Sequence, residues 1–562
     1  MRQDQPSDVV QVETGSDYSL ILRRIYYLII FFGFILRVVV SMSAWGMKHP
    51  DEIFQSLEMA HVLVYGYGFV PPEFQSMNMT YPSYAASRSW LFPMIFAFFM
   101  RLGEWLGLDY LTQTLPMIKF YMAIHATLLI PAVYKLTHQV TKDEFAATLA
   151  AFFIAFWFRI VEYTVRTFTN TYFLPLIFYG IYRVLHLLEQ KDKSNVLDYI
   201  EIGFLLGIST YIRIDMGIII FSFFVVYFKI ADILTYLKIG ISSFIFWIWG
   251  AWIDYNQYNN VKFFSVPINW FTFNIIKGYS KLFGVNPVYS YFTNFIVGDM
   301  LFPWFLIMLI WPLVHLVRPS LREHSILNTS LGTSYNRLLL ATAISWIIYS
   351  NAWPVVSFAN GFRLYFPESH KELRFMIGGL VLFLITTAVL CRLLLSQIPA
   401  TLDGMSRPQQ DTFFINEPFL IRSRNYLLIL ILITFMLTSL VGAQVRTTGD
   451  PFEDINRSLV YVGSHANPDR IYIAEVWYVT GYYSYSHVPE STQFIFVPFH
   501  NDGDAGNIRK MKNVIPNQPE NSYFIIPWYG YQAFEGLRDL LTTSGWTLVY
   551  HNGNVDTWYS NT

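Results

Sequence analysis

The sequence predicts an all-α polytopic membrane protein carrying a small C-terminal α/β region, and three observations support this. Hydrophobic residues make up 54% of the 562-residue chain and charged residues only 14%, against roughly a quarter charged in soluble domains. About eleven apolar runs approach the roughly 20 residues a helix needs to cross about 30 Å of hydrocarbon while satisfying its own backbone. Beyond Val441 the composition turns soluble, and strand-like runs alternate with helical ones.

The same numbers exclude other classes. With 38 Lys and Arg against 39 Asp and Glu the net charge is −1, so no basic field exists to hold nucleic acid. A single cysteine, Cys391, can build neither an intrachain disulfide nor a thiolate metal site, and His-x-x-His and Cys-x-x-Cys pairs are absent. No metal or cofactor is expected.

In chain order, residues 1–24 read as a retained, polar cytoplasmic tail ending in Arg23 and Arg24. The expected spans centre on Ile25–Trp45, Pro116–Tyr134, Phe145–Ile160, Phe168–Leu188, Leu197–Ile212, Met216–Ile233, Tyr236–Trp252, Phe302–Val317, Leu338–Trp353, Leu373–Leu395 and Tyr426–Val441. Trp90–Trp105 contains Pro93, Arg101 and Glu104 and reads as an interfacial or re-entrant helix. Lys and Arg collect on one common side of this threading, which puts the N-terminus inside and the C-terminus outside. The membrane region is then 25–443, with long extracytoplasmic loops at 46–89 and 254–300, and 444–562 forms the soluble α/β region. Its strands are expected at Arg470–Val476, Gln493–Val497, Tyr523–Pro527 and Thr547–Tyr550, its helices at Phe452–Val462 and Ala533–Thr543.

Immediately past the first span stands His49-Pro50-Asp51-Glu52-Ile53-Phe54-Gln55-Ser56-Leu57-Glu58. Adjacent carboxylates point about 100° apart on a helix, so only one can face a given substrate atom. They are either ordinary first-turn charges or include a general base at the outer membrane surface. A second cluster, Ser369-His370-Lys371-Glu372-Leu373-Arg374-Phe375, can grip a lipid phosphate or merely anchor a helix end. Arg37, Arg166, Arg213 and Asp215 lie in or beside spans, where an ion costs about 2.5–3.5 kcal/mol or more and should face a partner. Arg213 and Asp215 are positioned to neutralise each other. Asp254 opens the second long loop, which contains Pro267-Ile268-Asn269. Glycosylation sequons occur at Asn78, Asn328 and Asn456, the first and third on the outer side of the threading.

The order of these motifs, with Arg166-Thr167-Phe168-Thr169-Asn170 at a helix start, resembles glycosyltransferase family 22, the polyprenyl-phosphate-mannose-dependent mannosyltransferases, over about residues 20 to 395. Gln55-Ser56-Leu57-Glu58-Met59-Ala60-His61, Tyr65-Gly66-Tyr67-Gly68 and Arg88-Ser89-Trp90-Leu91-Phe92-Pro93 are most similar to the GPI mannosyltransferase III branch. The resemblance implies a GT-C fold and an inverting transfer of mannose from polyprenyl or dolichyl phosphate to a lipid-linked glycan or GPI-type acceptor, by a monomer without cofactor. It implies Asp51 as base, with Glu52 as the alternative. His370, Lys371 and Arg374, with Arg213, Arg166 and Arg88 in support, would meet the donor phosphate, and His49, Asp254 and Asn269 would position substrate. The host decides the membrane: endoplasmic reticulum in a eukaryote, cell membrane in a prokaryote. Two other readings remain, a GT-C enzyme moving a different sugar and, from another class, a polytopic transporter or flippase.

Overall fold

A computed structural model describes residues 13–45, 49–77, 82–190, 194–259, 261–279, 286–287, 289–297, 305, 329–350, 355–357, 363–365, 373–403, 426, 428–440, 451–474, 481–497, 515, 521–527, 536–552 and 555–560. The principal helices of the apolar region are α1 (Glu13–Ser43), α2 (Glu58–Tyr65), α3 (Leu91–Trp105), α4 (Leu115–Thr127), α5 (Leu129–Thr141), α6 (Glu144–Phe156), α7 (Phe158–Thr164), α8 (Leu174–Glu189), α9 (Val196–Ile212), α10 (Gly217–Tyr227), α11 (Ile233–Tyr258), α12 (Ser330–Tyr349) and α13 (Leu373–Asp403). Two short strands, β1 (Val355–Ser357) and β2 (Arg363–Tyr365), pair antiparallel between α12 and α13.

Among the described residues five helical runs are long and apolar enough to cross a membrane: Ser19–Ser43, Tyr110–Thr141, Thr169–Glu189, Ile230–Tyr258 and Arg374–Ser396. The pair α6 and α7, bent by 62°, makes a sixth if taken as one broken span, and Ile214–Tyr227 and Leu428–Leu440 are shorter apolar helices. The expected eleven are not reached among the described residues. Helix α9 forms where expected but has only 17 residues, with Asp198 and Glu201 in its first two turns. Helix α12 forms too, behind a polar start, while Phe302–Val317 lies outside the described residues apart from Phe305. At 15 residues, α3 is too short to span.

Burial distinguishes the helices further. In α13, 89% of the apolar window is buried inside the protein, against 22% in α1 and 17% in α11. Helix α13 is therefore the central column, whereas α1 and α11 turn side chains such as Phe31, Phe32, Ile241 and Trp252 outward. Without a hydrophobic drive between helices in lipid, small residues permit the close approach that dispersion requires. Helices α9 and α11 use this device: a Cβ at Gly203 would stand 2.7 Å from the Ser242 carbonyl carbon, and one at Gly207 2.6 Å from the Ser243 oxygen.

Arg37 faces the bundle interior with partners, as its cost in lipid requires. It is fully buried. Its guanidinium donates to the carbonyls of Ile154 (2.9 Å), Ala155 (3.0 Å) and Gly33 (3.1 Å). The first two belong to the last turn of α6, whose carbonyls lose their helical partners where the backbone turns extended at Trp157. A cation at a helix C-terminus also offsets the helix dipole.

The C-terminal elements are α14 (Pro451–His465), β3 (Arg470–Ile473), α15 (Tyr482–Ser486), β4 (Gln493–Phe496), β5 (Ser522–Pro527), α16 (Leu537–Thr543), β6 (Thr547–Asn552) and β7 (Val555–Ser560). They form a five-stranded mixed sheet in the order β4-β3-β5-β7-β6, parallel between β3 and its neighbours and antiparallel through β7. The four expected strands are present; β7 was not expected. The expected boundary near 444 lies outside the described residues. Asn456 is fully buried in α14, donating to the Trp45 carbonyl (3.0 Å) and accepting from the Gly481 amide (2.8 Å). This sequon is closed in the folded protein, while Asn78 and Asn328 lie outside the described residues.

Two outcomes follow from this packing. Arg37→Met strands two buried carbonyls, each worth about 1–3 kcal/mol, and should lower the melting temperature of the detergent-solubilised protein; an unchanged melt would refute the capping role. Glycopeptide mass spectrometry of the folded, membrane-extracted protein should find no glycan on Asn456.

Candidate active site

The site begins where Pro50 opens a helical segment just past α1. Residues Ile53–Leu57 adopt a wider π-helical turn before α2 continues, and Ile53, Phe54 and Leu57 are buried. This anchors the segment by its apolar face and leaves the two acids at its start to meet three other parts of the chain.

Asp51 pairs with Arg374, the first charged residue of the central column, at 2.8 Å. The sequence separates the two by more than half the chain, and the fold brings them into contact. His49 Nδ1 accepts from the Asp51 amide at 3.1 Å and lies 3.4 Å from its carboxylate. His49 thus orients Asp51. Burial alone pushes the Asp51 carboxyl up, but Arg374, His49 and Arg88 outweigh it and hold the group well below the ordinary carboxylate range. The side chain of Asp51 retains 17% exposure against 9% for Glu52.

Glu52 is engaged elsewhere. Its two oxygens accept from the same nitrogen, Arg166 Nη1, at 3.1 and 3.0 Å, a charge-assisted contact, and its carbonyl accepts from Thr167 Oγ1 at 2.5 Å. The rest of the Arg166 motif serves neighbouring elements. Phe168 lies under the Arg374 guanidinium, 5.7 Å from ring centroid to Cζ, with Phe375 at 5.1 Å. Asn170 donates to Asp215 Oδ2 at 3.1 Å. Arg213 sits 3.0 Å from Asp215 and over the Phe375 ring at 5.5 Å. The mutual neutralisation considered for Arg213 and Asp215 is what the structure contains. Arg213 nevertheless remains within electrostatic reach of Arg374, Arg88 and Asp51.

Arg88 is partly buried, and its Nε has no hydrogen-bond partner among the described residues. Its backbone carbonyl accepts from Tyr258 at 2.6 Å. Beside it Glu73, buried, accepts from Gln55 Nε2 at 3.0 Å.

Two expected substrate contacts have structural partners instead. Asp254 lies inside α11, not in a loop, and is almost fully buried. One oxygen accepts from Ser89 Oγ (3.1 Å) and the Trp90 amide (2.8 Å), the other from Tyr211 (2.7 Å). Asp254 therefore ties the α3 entry to α9 and α11, and its helical position follows from α11 running six residues beyond the expected end at Trp252. Asn269 donates to the Ala85 carbonyl at 2.8 Å, joining the two long loops. His370 and Lys371 lie outside the described residues.

The sequence reading passed over Glu58. It is fully buried, accepts from the amides of Phe69 (2.9 Å) and Ser484 (3.0 Å), and burial pushes its carboxyl up to about 7. The signal was present in Gln55-Ser56-Leu57-Glu58, where an acid falls on the apolar side of a short helix. Among the described residues no group of three or more His, Cys, Asp or Glu is placed to hold a metal ion.

An acid and an arginine from distant segments are thus paired, largely buried, within an apolar helical bundle. The crystal structure of ArnT from Cupriavidus metallidurans in the apo state superposes on the fold with a TM-score of 0.53 at 10% identity, covering 97% of this chain and 98% of that one. The same protein bound to undecaprenyl phosphate gives 0.51 at 10% identity, covering 95% and 97%. This is the GT-C architecture. Residues 27–487 match the family described as Alg9-like mannosyltransferases, and the chain belongs to that family. Similar relatives include human GPI alpha-1,2-mannosyltransferase 3, 23% identical over 489 residues, 85% of this chain and 73% of that protein. GPI mannosyltransferase 3 of Schizosaccharomyces pombe is 27% identical over 281 residues, 44% of this chain and 52% of that protein. The protein is accordingly a multi-pass membrane mannosyltransferase.

The ion pair sets a pH signature. A depressed carboxyl keeps its charge, and the stability its pair contributes, until pH falls through the depressed value, so wild-type kcat/KM should show no acid limb from Asp51 above about pH 4. Arg374→Gln leaves burial to dominate and should move that limb upward by about one unit or more. A profile identical to wild type would show that Arg374 does not control Asp51.

Proposed function

We propose that the protein transfers mannose from a polyprenyl or dolichyl phosphate to a lipid-linked glycan of the GPI type, with inversion at the sugar carbon, on the extracytoplasmic or lumenal side. The Asp51–Arg374 pair carries this reading, because it puts one base and one phosphate-binding cation within a single contact. The acceptor hydroxyl gives its proton to Asp51 as its oxygen attacks C1. The bond between C1 and the phosphate oxygen breaks, and its electron pair stays on the lipid phosphate. Arg374, with Arg88 and Arg213 within its electrostatic reach, receives the growing negative charge in a poorly hydrated pocket where fixed charge counts for more than in water.

Glu52 serves as structure here, since Arg166 occupies both of its oxygens. Arg374 meets Asp51 before donor binds, and an arriving phosphate competes for it. As the cation turns toward phosphate, the effect of burial on Asp51 is less opposed, so its basicity rises when the donor is in place. The site thereby becomes competent in the order donor, then base. By their place in the sequence motif, His370 and Lys371 are further candidates to meet the donor phosphate. The eukaryotic GPI mannosyltransferase relatives support the endoplasmic reticulum membrane; our reading further puts the 444–562 region on the lumenal face and has the chain act as a monomer.

Purified protein offered different polyprenyl-phosphate sugars should use mannose, and preference for another sugar would replace this reading. Asp51→Asn should lower turnover by about 10²–10⁴-fold while the protein still inserts and melts normally. Near-normal turnover would remove Asp51 from the role of base. Arg374→Ala should raise the apparent KM for donor, and unchanged donor kinetics would reduce it to a structural cation.

A further inference from the structure

The segment bearing Asp51 and Glu52 is held from both sides by the C-terminal region. On one side, Asn456 of α14 donates to the carbonyl of Trp45 at 3.0 Å. On the other, the Ser484 amide of α15 donates to Glu58 at 3.0 Å. The same Asn456 accepts from Gly481 at 2.8 Å, which joins the two holding points through one side chain. Around them, Tyr110 donates to the Ser484 carbonyl (3.0 Å), Tyr67 to the Val488 carbonyl (3.2 Å), and His61 Nε2 meets His487 Nδ1 at 3.2 Å. The Tyr482 ring packs on Phe54 and Phe69 at 5.6 and 5.2 Å between centroids.

The construction is specific at the backbone. Gly68 has φ +145°, and a Cβ there would stand 3.0 Å from Glu58 Oε1; its absence lets the Phe69 amide reach the carboxylate. Tyr482 and His487, at either end of α15, hold left-handed conformations (φ 43° and 49°), an arrangement non-glycine residues adopt at a cost that surrounding contacts must offset. Ser484 lies in the first turn of α15, where its amide has no helical acceptor, and Glu58 supplies one. The family match runs to His487, so all of the clasp except Val488 lies within it.

We propose that Glu58 is a positioning residue, the keystone of a clasp through which segment 481–488 of the C-terminal region fixes the helix start bearing the catalytic acid. Segment 481–488 thus sets catalytic geometry through Glu58. This rests on the mannosyl transfer proposed above for its kinetic readout only.

Two variants approach the contact from opposite sides in the full-length protein. Glu58→Gln places an amide where two N–H groups need acceptors, and Ser484→Pro removes the backbone donor in the first turn of α15, along with the Ser484 Oγ bond to the Gly481 carbonyl. Each should lower kcat by about 10- to 100-fold, the loss associated with misplacement near an ångström, with donor KM within about twofold of wild type. The double variant should be no worse than the worse single one, because both remove the same contact. Hydrogen exchange should accelerate over residues 49–57 in each. Unchanged kcat, additive losses, a rise in donor KM alone, or unaltered exchange over 49–57 would each overturn the proposal. A wild-type protein that transfers no mannose would overturn the functional reading instead, and the exchange comparison would still decide the clasp.

Discussion

An ionised carboxylate and a guanidinium, one on the segment after the first helix and the other at the head of the central column, meet at 2.8 Å beside a membrane. Neither is cheap to hold there alone. Pairing offsets the cost for both, and it does so at the place where a phosphate-bearing lipid would bring charge of its own. The rest of the apolar region keeps this contact in register. Arg166 fixes Glu52, Phe168 and Phe375 give Arg374 a surface, Asp254 ties α3 to α9 and α11, and Arg37 closes the broken end of α6. Each of these polar side chains satisfies groups that lipid could not.

Apolar length and composition located the membrane region and most of its helices, because a lipid-crossing helix must be apolar over a fixed distance. They did not fix the helix count. The helices over Leu197–Ile212 and Leu338–Trp353, α9 and α12, begin with acidic or polar turns, and burial within a bundle relaxes the need for uniform apolarity. The same insensitivity misplaced Asp254: hydropathy falls before α11 ends, because its final turns carry polar residues, Asn256 and Gln257 on the exposed side and Asp254 on the buried one. In the C-terminal region, Val555–Ser560 escaped notice although Gly553-Asn554 before an aromatic run is a recognisable hairpin signal.

The site was partly legible for a different reason. Asp51, Glu52, Arg166, Arg213 and Arg374 are charges where charges are costly, and such residues call for partners. What the sequence cannot express is who pairs with whom. Glu52 and Asp51 are neighbours in the chain, yet one has both oxygens held by Arg166 and the other keeps an open edge. Glu58 was hidden because its partners are backbone amides, one of them in a segment more than 400 residues away, and backbone donors leave no mark in composition.

The central claim is that Arg374 holds Asp51 ionised at rest and yields it when a lipid phosphate arrives. The direct measurement is an isotope-edited infrared titration of the Asp51 carboxyl, assigned by its loss in Asp51→Asn, with and without saturating dolichyl phosphate. The account expects an apparent pKa below the ordinary carboxylate range without lipid and a clear rise with it. An ordinary or raised value without lipid, or no response to lipid, would contradict it.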